Sequence, residues 1–454
     1  MKKTLLTLFG CVILASCTNE VEQMDANMDA QNDIQYVVEE ESSPNVTLAD
    51  IQAYMDKGSD IASRNGGDGE IEVITYQNDT VMYLLKYGNG WEMMPGDKRF
   101  PLRVAYNDKG TLDYAKMNDA QHMWFESVAE KIHVMKKHGK GIENEYCKVW
   151  NAFSMKNKKK NNHAKSRTVI DGQGGWLYHN TKQHSYVSGQ KNHLITTLWH
   201  QRAPYDNYCP YDSNLTFLKS AVGCVAVAAG QVFYYMHKKI GTPAKMPESA
   251  TYNATNREYI FTGWSTQPWT YIEQDDEDYI ALLLGHVGKI CNMDYSYSGS
   301  SADFYYDLYG AALAQYGVEA DFVASWSPSY IVDDLDSNMP ILADMHTSGI
   351  GSVGHAIIID GYKEITTQYT DVYIYVEDMD SYPGDIYDHD EEMNPVPEEG
   401  PTQETSYFTT DTYYLINWGY GYSDDTFYHS GSNINNGGYT YNKNKRILYN
   451  LRKR

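Results

Sequence analysis

From residue 45 onward the chain alternates between two hydrophobic rhythms. Thr47 is a plausible N-cap for a helix running to about Met55. Ile71–Tyr76 and Val81–Tyr87 alternate apolar and polar residues as strands do. Gly88-Asn89-Gly90-Trp91 marks a turn, and Pro101–Tyr106 reads as another strand. Ala120–Lys137 has a helical apolar face. Later, Cys224–Lys239 is a small-residue helix stopped by Gly241 and Pro243, followed by helices at Asp278–Lys289 and Ala302–Gln315. Strand patterns then dominate: Pro340–Met345, Ala356–Asp360, Val372–Glu377, Tyr413–Asn417 and Arg446–Leu451. Helices first and strands later predict an α+β domain of two subdomains with a cleft between them.

The pattern breaks at both ends of the 45–155 segment. Lys2 and Lys3 precede an apolar run, Leu5–Ala15, that is too short for a membrane span. It ends Leu14-Ala15-Ser16-Cys17, which resembles the lipobox of bacterial lipoproteins. That resemblance implies cleavage before Cys17 and lipid on the new N-terminus, and so a lipid anchor without a spanning helix. Residues 18–44 hold eight acidic residues and no basic one, the composition of a disordered tether. Residues 156–167 hold six basic residues and almost nothing apolar, as an exposed, cleavable linker does. The expected divisions are therefore 1–17 signal peptide, 18–44 tether, 45–155 small domain, 156–167 linker and 168–454 main domain.

Composition narrows the partners. A net charge of −23 over 454 residues argues against a nucleic-acid partner. Tyrosine, at 41 residues, suits a β-rich protein with a well hydrogen-bonded surface. Of six cysteines, Cys11 and Cys17 fall in the signal, and Cys147, Cys209, Cys224 and Cys291 show no CxxC spacing. That is neither a zinc pattern nor a disulfide framework, and an exported chain with few, unpatterned cysteines can keep one as a free thiol. The acidic 377–399 stretch lacks EF-hand spacing and reads as a solvated loop. Gly349-Ile350-Gly351-Ser352-Val353-Gly354 matches GxGxxG but precedes a strand, which is the wrong context for a dinucleotide. No metal or cofactor is expected.

One cysteine has suggestive surroundings. In Val222-Gly223-Cys224-Val225-Ala226, a loop delivers a thiol to the first turn of a helix, where unpaired N–H groups and the dipole favour thiolate. A lone cysteine there is more often a buried, inert one. A nucleophile needs a base, an orienting group and an oxyanion donor. His237 follows on the same helix and is too far away, His286 reads as a packed core residue, His389 lies in the acidic loop, and His346 and His429 have no supporting context. His355, in Val353-Gly354-His355-Ala356-Ile357, opens a buried strand that would hold its ring. Asn417 and Trp418, in Leu415-Ile416-Asn417-Trp418-Gly419, could accept a bond from an imidazole and shield it. Gln201, in Trp199-His200-Gln201-Arg202-Ala203-Pro204-Tyr205, could supply an oxyanion N–H beside that of Cys224. Each of these, read alone, has a structural explanation.

Together, the order Gln, Cys, His, Asn is that of papain-like enzymes, and the four local motifs resemble the streptopain-like cysteine peptidases. The resemblance spans nearly all of 168–454. It extends to Gly90-Trp91, Asp97-Lys98-Arg99, Pro101-Leu102 and Gly110, which look like that family's propeptide. It implies a papain-like fold, Cys224 as nucleophile, His355 as general base and then acid, Gln201 in the oxyanion hole, and Asn417 or Trp418 orienting His355. It places Gly354 and either Ser300 or Ser301 near bound substrate backbone. It also implies a latent endopeptidase acting on proteins or peptides and inhibited by its own 45–155 propeptide; the lipobox-like signal places it at the outer membrane or cell surface, or released from it. The chain departs from the family where Tyr420 and Tyr422 replace a Trp and a Gly of Asn-Trp-Gly-Trp-Gly-Gly. That altered turn is the sequence support for the alternative, a catalytically inactive surface adhesin or binding protein.

Overall fold

A computed structural model describes residues 43–454, apart from 58, 60, 63–68, 114–115, 140–143, 155–174, 215–216, 273–275, 347–353, 377–400, 423–424, 431–434, 437–438 and 441–444. The expected signal peptide, the basic linker, Cys17, His389 and the acidic stretch lie outside the described residues, as does nearly all of the tether.

The N-terminal segment follows its sequence signals. The helix Leu48–Lys57 begins where Thr47 Oγ1 accepts the Asp50 N–H (3.2 Å) and the Asp50 carboxylate accepts the Thr47 N–H (2.9 Å). A four-stranded meander follows: β1 (Glu70–Tyr76), β2 (Asp79–Lys86), β3 (Trp91–Pro95) and β4 (Ala105–Asn107). The long helix Asp119–His138 starts at a capping box in which Asn118 and Gln121 satisfy each other's main-chain N–H groups. A helix at Glu145–Ser154 closes the segment.

The rest of the chain supplies a helical part and a sheet. The helical part contains Cys224–Ile240, Glu277–Ile290 and Phe304–Ala312. Ala226, Ala228, Ala229 and Val232 of the first pack with Leu283, Leu284 and Val287 of the second in one core cluster. The third element was expected as an ordinary helix but is wound as a π-helix, with Asp303 accepting the N–H groups of Tyr305 and Tyr306 at its start. The hairpin β6 (Met246–Asn253) and β7 (Glu258–Ser265) was not foreseen.

The strands are β5 (Gly175–Lys191), β8 (Val318–Val323), β9 (Ile341–His346), β10 (Gly354–Val376), β11 (Thr402–Asn417), β12 (Phe427–His429) and β15 (Lys445–Lys453). Two minor strands, β13 (Asn435–Asn436) and β14 (Tyr439–Thr440), pair only with each other. The large sheet runs β1-β2-β3-β4-β12-β11-β10-β9-β15-β8, and β5 lies along the outer half of β10. The two expected strands at 356–360 and 372–377 are thus one. β10 pairs with β9 through residues 354–359 and with β5 from Tyr362 onward.

The N-terminal meander is therefore part of the same sheet as the rest. The seam is short: Phe427 pairs with Tyr106 and Tyr428 with Ala105, and the His429 N–H reaches the Val104 carbonyl (2.8 Å). Side chains do most of the joining. Ala120, Trp124, Phe125, Val128, Ile132 and Met135 of the long helix bury themselves with Ile357, Ile359, Ile416, Trp418, Tyr428 and Ile447 of the sheet. Pro44–Arg454 forms one compact unit, and its fold is α+β, with Cys224 on the helical part and His355 on the sheet. No described helix is long and apolar enough to cross a membrane.

Candidate active site

Cys224 is the first residue of its helix, and Gly223 precedes it at φ +92°. A Cβ on Gly223 would meet Met293 Sδ at 2.8 Å and the Ser300 carbonyl at 3.0 Å, so only glycine fits this approach. The loop is braced from the side. Ser300 Oγ donates to the Ala221 carbonyl (2.6 Å), and the Ala221 N–H reaches the Ser296 carbonyl (3.0 Å). Ser300 is buried with its hydroxyl committed to this brace, and its carbonyl lies beside Gly223, next to Cys224. Ser301 is exposed, and its main chain pairs with Asp294 (2.8 and 3.1 Å).

His355 is the second residue of β10, directly after Gly354, and its side chain hydrogen-bonds the Cys224 thiol. The Ala356 N–H also points at Cys224 Sγ (3.4 Å). Burial raises the thiol pKa, but the His355 charge, the His355 hydrogen bond and the N–H groups of Ala356 and Val225 outweigh it, so the thiol lies below its ordinary range. The other buried cysteines are opposites. Burial pushes Cys291 up to about 12 and Cys209 higher still. None of the four described cysteines is in a disulfide.

On its far side His355 Nε2 lies 3.1 Å from the Trp418 carbonyl. A carbonyl can only accept, so Nε2 carries a hydrogen and Nδ1 is left for the thiol. Asn417 does not take the orienting role expected for it. Its Nδ2 donates to the Thr197 carbonyl (3.2 Å) and Gln231 Oε1 (3.3 Å), and its Oδ1 accepts the Gly419 N–H (3.0 Å). Of the two residues expected to orient His355, Trp418 makes the bond, through its main chain; its ring is buried against Tyr428, centroids 5.2 Å apart. The ring over the imidazole belongs to Tyr420, stacked at 5.6 Å and 25°.

Sequence reasoning passed over Gln231. It sits on the Cys224 helix, fully buried, and its Oε1 accepts from Thr197 Oγ1 (2.9 Å), the Trp199 N–H (3.4 Å) and Asn417 Nδ2. It thereby joins the helix of Cys224, the segment leading to Gln201 and the end of β11. Gln201 itself is half-buried, and its carbonyl accepts the Val222 N–H (3.0 Å), placing it beside the Cys224 loop. The turn after Trp418 closes on His200. A main-chain bridge links His200 to Tyr420, and a Cβ on Gly421, at φ +83°, would lie 2.7 Å from His200 Cδ2.

His286, His237 and His429 are occupied elsewhere. His286, expected in the core, bonds the Tyr316 hydroxyl (2.7 Å), and burial drops its pKa to about 4. His237 stacks on Trp269 at 4.6 Å, and His429 bonds Asp411 (3.2 Å). Asp360, at the end of the His355 motif, accepts from His193 Nδ1 (2.7 Å) and the Ile195 N–H (2.9 Å). Among the described residues no His, Cys, Asp and Glu side chains cluster as metal ligands. The arrangement is a thiol with depressed pKa, an imidazole in a fixed tautomer and main-chain N–H groups at a helix start. It can attack a carbonyl and stabilise the resulting oxyanion.

Residues 199–377 match the model of the Peptidase C10 family. The matched region is that of a cysteine-type peptidase and includes Gln201, Cys224, Ser300 and His355. Among solved structures the chain is similar to a prointerpain A fragment from Prevotella intermedia, at 14% identity and TM-score 0.47, covering 84% of this chain and 98% of that one. It is also similar to active interpain A cysteine protease from the same organism, at 17% identity and TM-score 0.36, covering 58% and 95%. No curated protein matches the chain.

Proposed function

We propose that the protein is an exported, lipid-anchored cysteine endopeptidase made as a latent precursor. One observation carries the reading: the Cys224 thiol sits against the His355 imidazole, which lowers its pKa, whereas burial raises those of Cys209 and Cys291. Cys224 thiolate attacks a peptide carbonyl; the Cys224 N–H and the Gln201 amide hold the oxyanion. His355, protonated at Nδ1, gives that proton to the leaving amine, and a water activated by His355 then hydrolyses the thioester. Gly354, next to His355 at the start of β10, would lie along the bound substrate backbone.

Latency is supported by the docked 44–154 segment. The Asn118 side chain at the start of the long helix bonds the Tyr422 hydroxyl, and Gln121 Nε2 reaches Tyr428 (3.0 Å). The inhibitory segment thus touches the loop that follows Trp418. Export and anchoring rest on the Leu14-Ala15-Ser16-Cys17 signal, and activation on cleavage within the basic 156–167 linker. The inactive-adhesin alternative loses its support in the turn, because Tyr420 holds an aromatic ring over His355. Incubation with a denatured protein substrate tests the reading. New N-termini should appear, an epoxide thiol inhibitor should label Cys224 and stop the reaction, and Cys224→Ala should release none. Labelling without new N-termini would instead mark an acyl-transfer enzyme, and no labelling an inert site.

A further inference from the structure

Two lysines meet where the N-terminal segment packs on the sheet. Lys131 lies on the Asp119–His138 helix and Lys445 opens β15, which pairs with β9 through Lys445 and Met345. Both Nζ atoms are buried with no hydrogen-bond partner beyond the pair itself, and the two amino groups interact with each other. Lys445 shares its sheet face with Ile447, which packs in the same core as Val128 and Ile132 on the turns flanking Lys131. The other charges nearby do not neutralise the pair. Glu130 acts on Lys131 from the same helix. Lys445 Nζ lies 4.3 Å from the Trp326 ring centre, a contact that favours its charged form without supplying a counter-charge. Asp344 and Arg446, the charged neighbours on β9 and β15, pair with each other on the opposite sheet face.

We propose that Lys131 and Lys445 form a proton-sensitive latch that releases the N-terminal segment from the peptidase sheet as pH falls. The proposal rests on the precursor reading above. A buried, unpaired ammonium is costly, and two in contact cost more, so the docked state favours neutral amines. Burial and then the contact with a second amine hold Lys445 well below the ordinary lysine range. Burial drops Lys131 to about 8, with Glu130 opposing it.

The sign follows from linkage. Each lysine binds its proton more readily once the segment lifts away and water returns. Docking is therefore least penalised at high pH and weakens as pH falls from the free-lysine range through about 8. It weakens further as Lys445 charges. The main-chain seam opposing release has only two paired residues on each strand. Acidification thus acts on an interface held chiefly by packing around the long helix.

The test uses the full chain carrying Cys224→Ala, so that it stays whole. Hydrogen exchange across 119–138 is compared with Lys131→Met/Lys445→Met at the same pH, at pH 9 and pH 6. The double variant should be the better protected, and its advantage should be about tenfold or more larger at pH 6, from Lys131 alone. An equal advantage at both pH values would overturn the latch. Lys445→Arg, which cannot discharge, should expose the helix to exchange at pH 9 as well; full protection there would also overturn it. In the Cys224 chain, conversion to a shorter form should speed up on acidification and lose that dependence in the double variant. If no variant converts at any pH while the exchange results hold, the peptidase reading fails and the latch stands.

Discussion

The Trp418 carbonyl, 3.1 Å from His355 Nε2, fixes which imidazole nitrogen faces the Cys224 thiol. The tautomer is set by an atom that no side-chain substitution removes. Trp418→Phe should therefore keep the Nε2 bond and retain measurable peptidase activity, with its loss coming from packing against Tyr428. Loss comparable to His355→Ala, measured as kcat/KM on a peptide substrate, would show that the indole does more than fill space.

Cys224 should be alkylated by iodoacetamide with a midpoint below the value of about 8.5 of a free thiol. The reactive form is the thiolate, and the His355 charge favours it, so the rate rises with pH through the lowered value. His355→Ala should move the midpoint upward, since burial then acts with little to oppose it. The rate–pH curve of the two proteins, read by mass spectrometry at Cys224, checks the direction.

Tyr420 lies over the imidazole, so Tyr420→Leu should reduce kcat/KM by about 2- to 10-fold while Tyr420→Trp keeps it. Equal activity in Tyr420→Leu would mean that the stacked ring does not hold His355.

Gln231→Leu removes the acceptor shared by Thr197, Trp199 and Asn417. Leaving buried donors unmatched costs about 1–3 kcal/mol each. Chemical denaturation should show a loss in that range, and activity should fall with it, because three segments of the site are joined at this atom.

Gly223→Ala places a methyl against Met293 Sδ and the Ser300 carbonyl in a backbone region that disfavours side chains. A stability loss of about 1–3 kcal/mol is expected, with slower Cys224 labelling. Unchanged labelling in a folded variant would show that the loop has room to adjust.

The parts of this protein written in side-chain chemistry were legible in its sequence. Gly223 and Gly241 bound the Cys224 helix, Thr47 and Asp50 set the first cap, and the buried run after His355 is a strand. The orienting group on His355 was harder to read, because every residue has a carbonyl and only the folded turn decides which one lies 3.1 Å away. Asn417 looked apt by residue type, yet its amide is held by Thr197 and Gln231. The use of the Ser300 hydroxyl at the Ala221 carbonyl, which braces the Cys224 loop, was likewise not legible from residue type. The long β10 was read as two strands because Lys363–Asp371 is polar. That stretch is held by β5 and β11 on its two edges, a pairing that composition does not reveal.

The short seam between β4 and β12 bears on what happens once the N-terminal segment is gone. A chain cut within 155–174 and stripped of residues 44–154 would turn β12 from an interior strand into the rim of the sheet, with bare main-chain groups at Phe427–His429. Exposed rims recruit strands from other molecules, and short ones recruit them poorly. Three residues give little purchase for a foreign strand, so the mature sheet would shed its partner without acquiring a sticky edge.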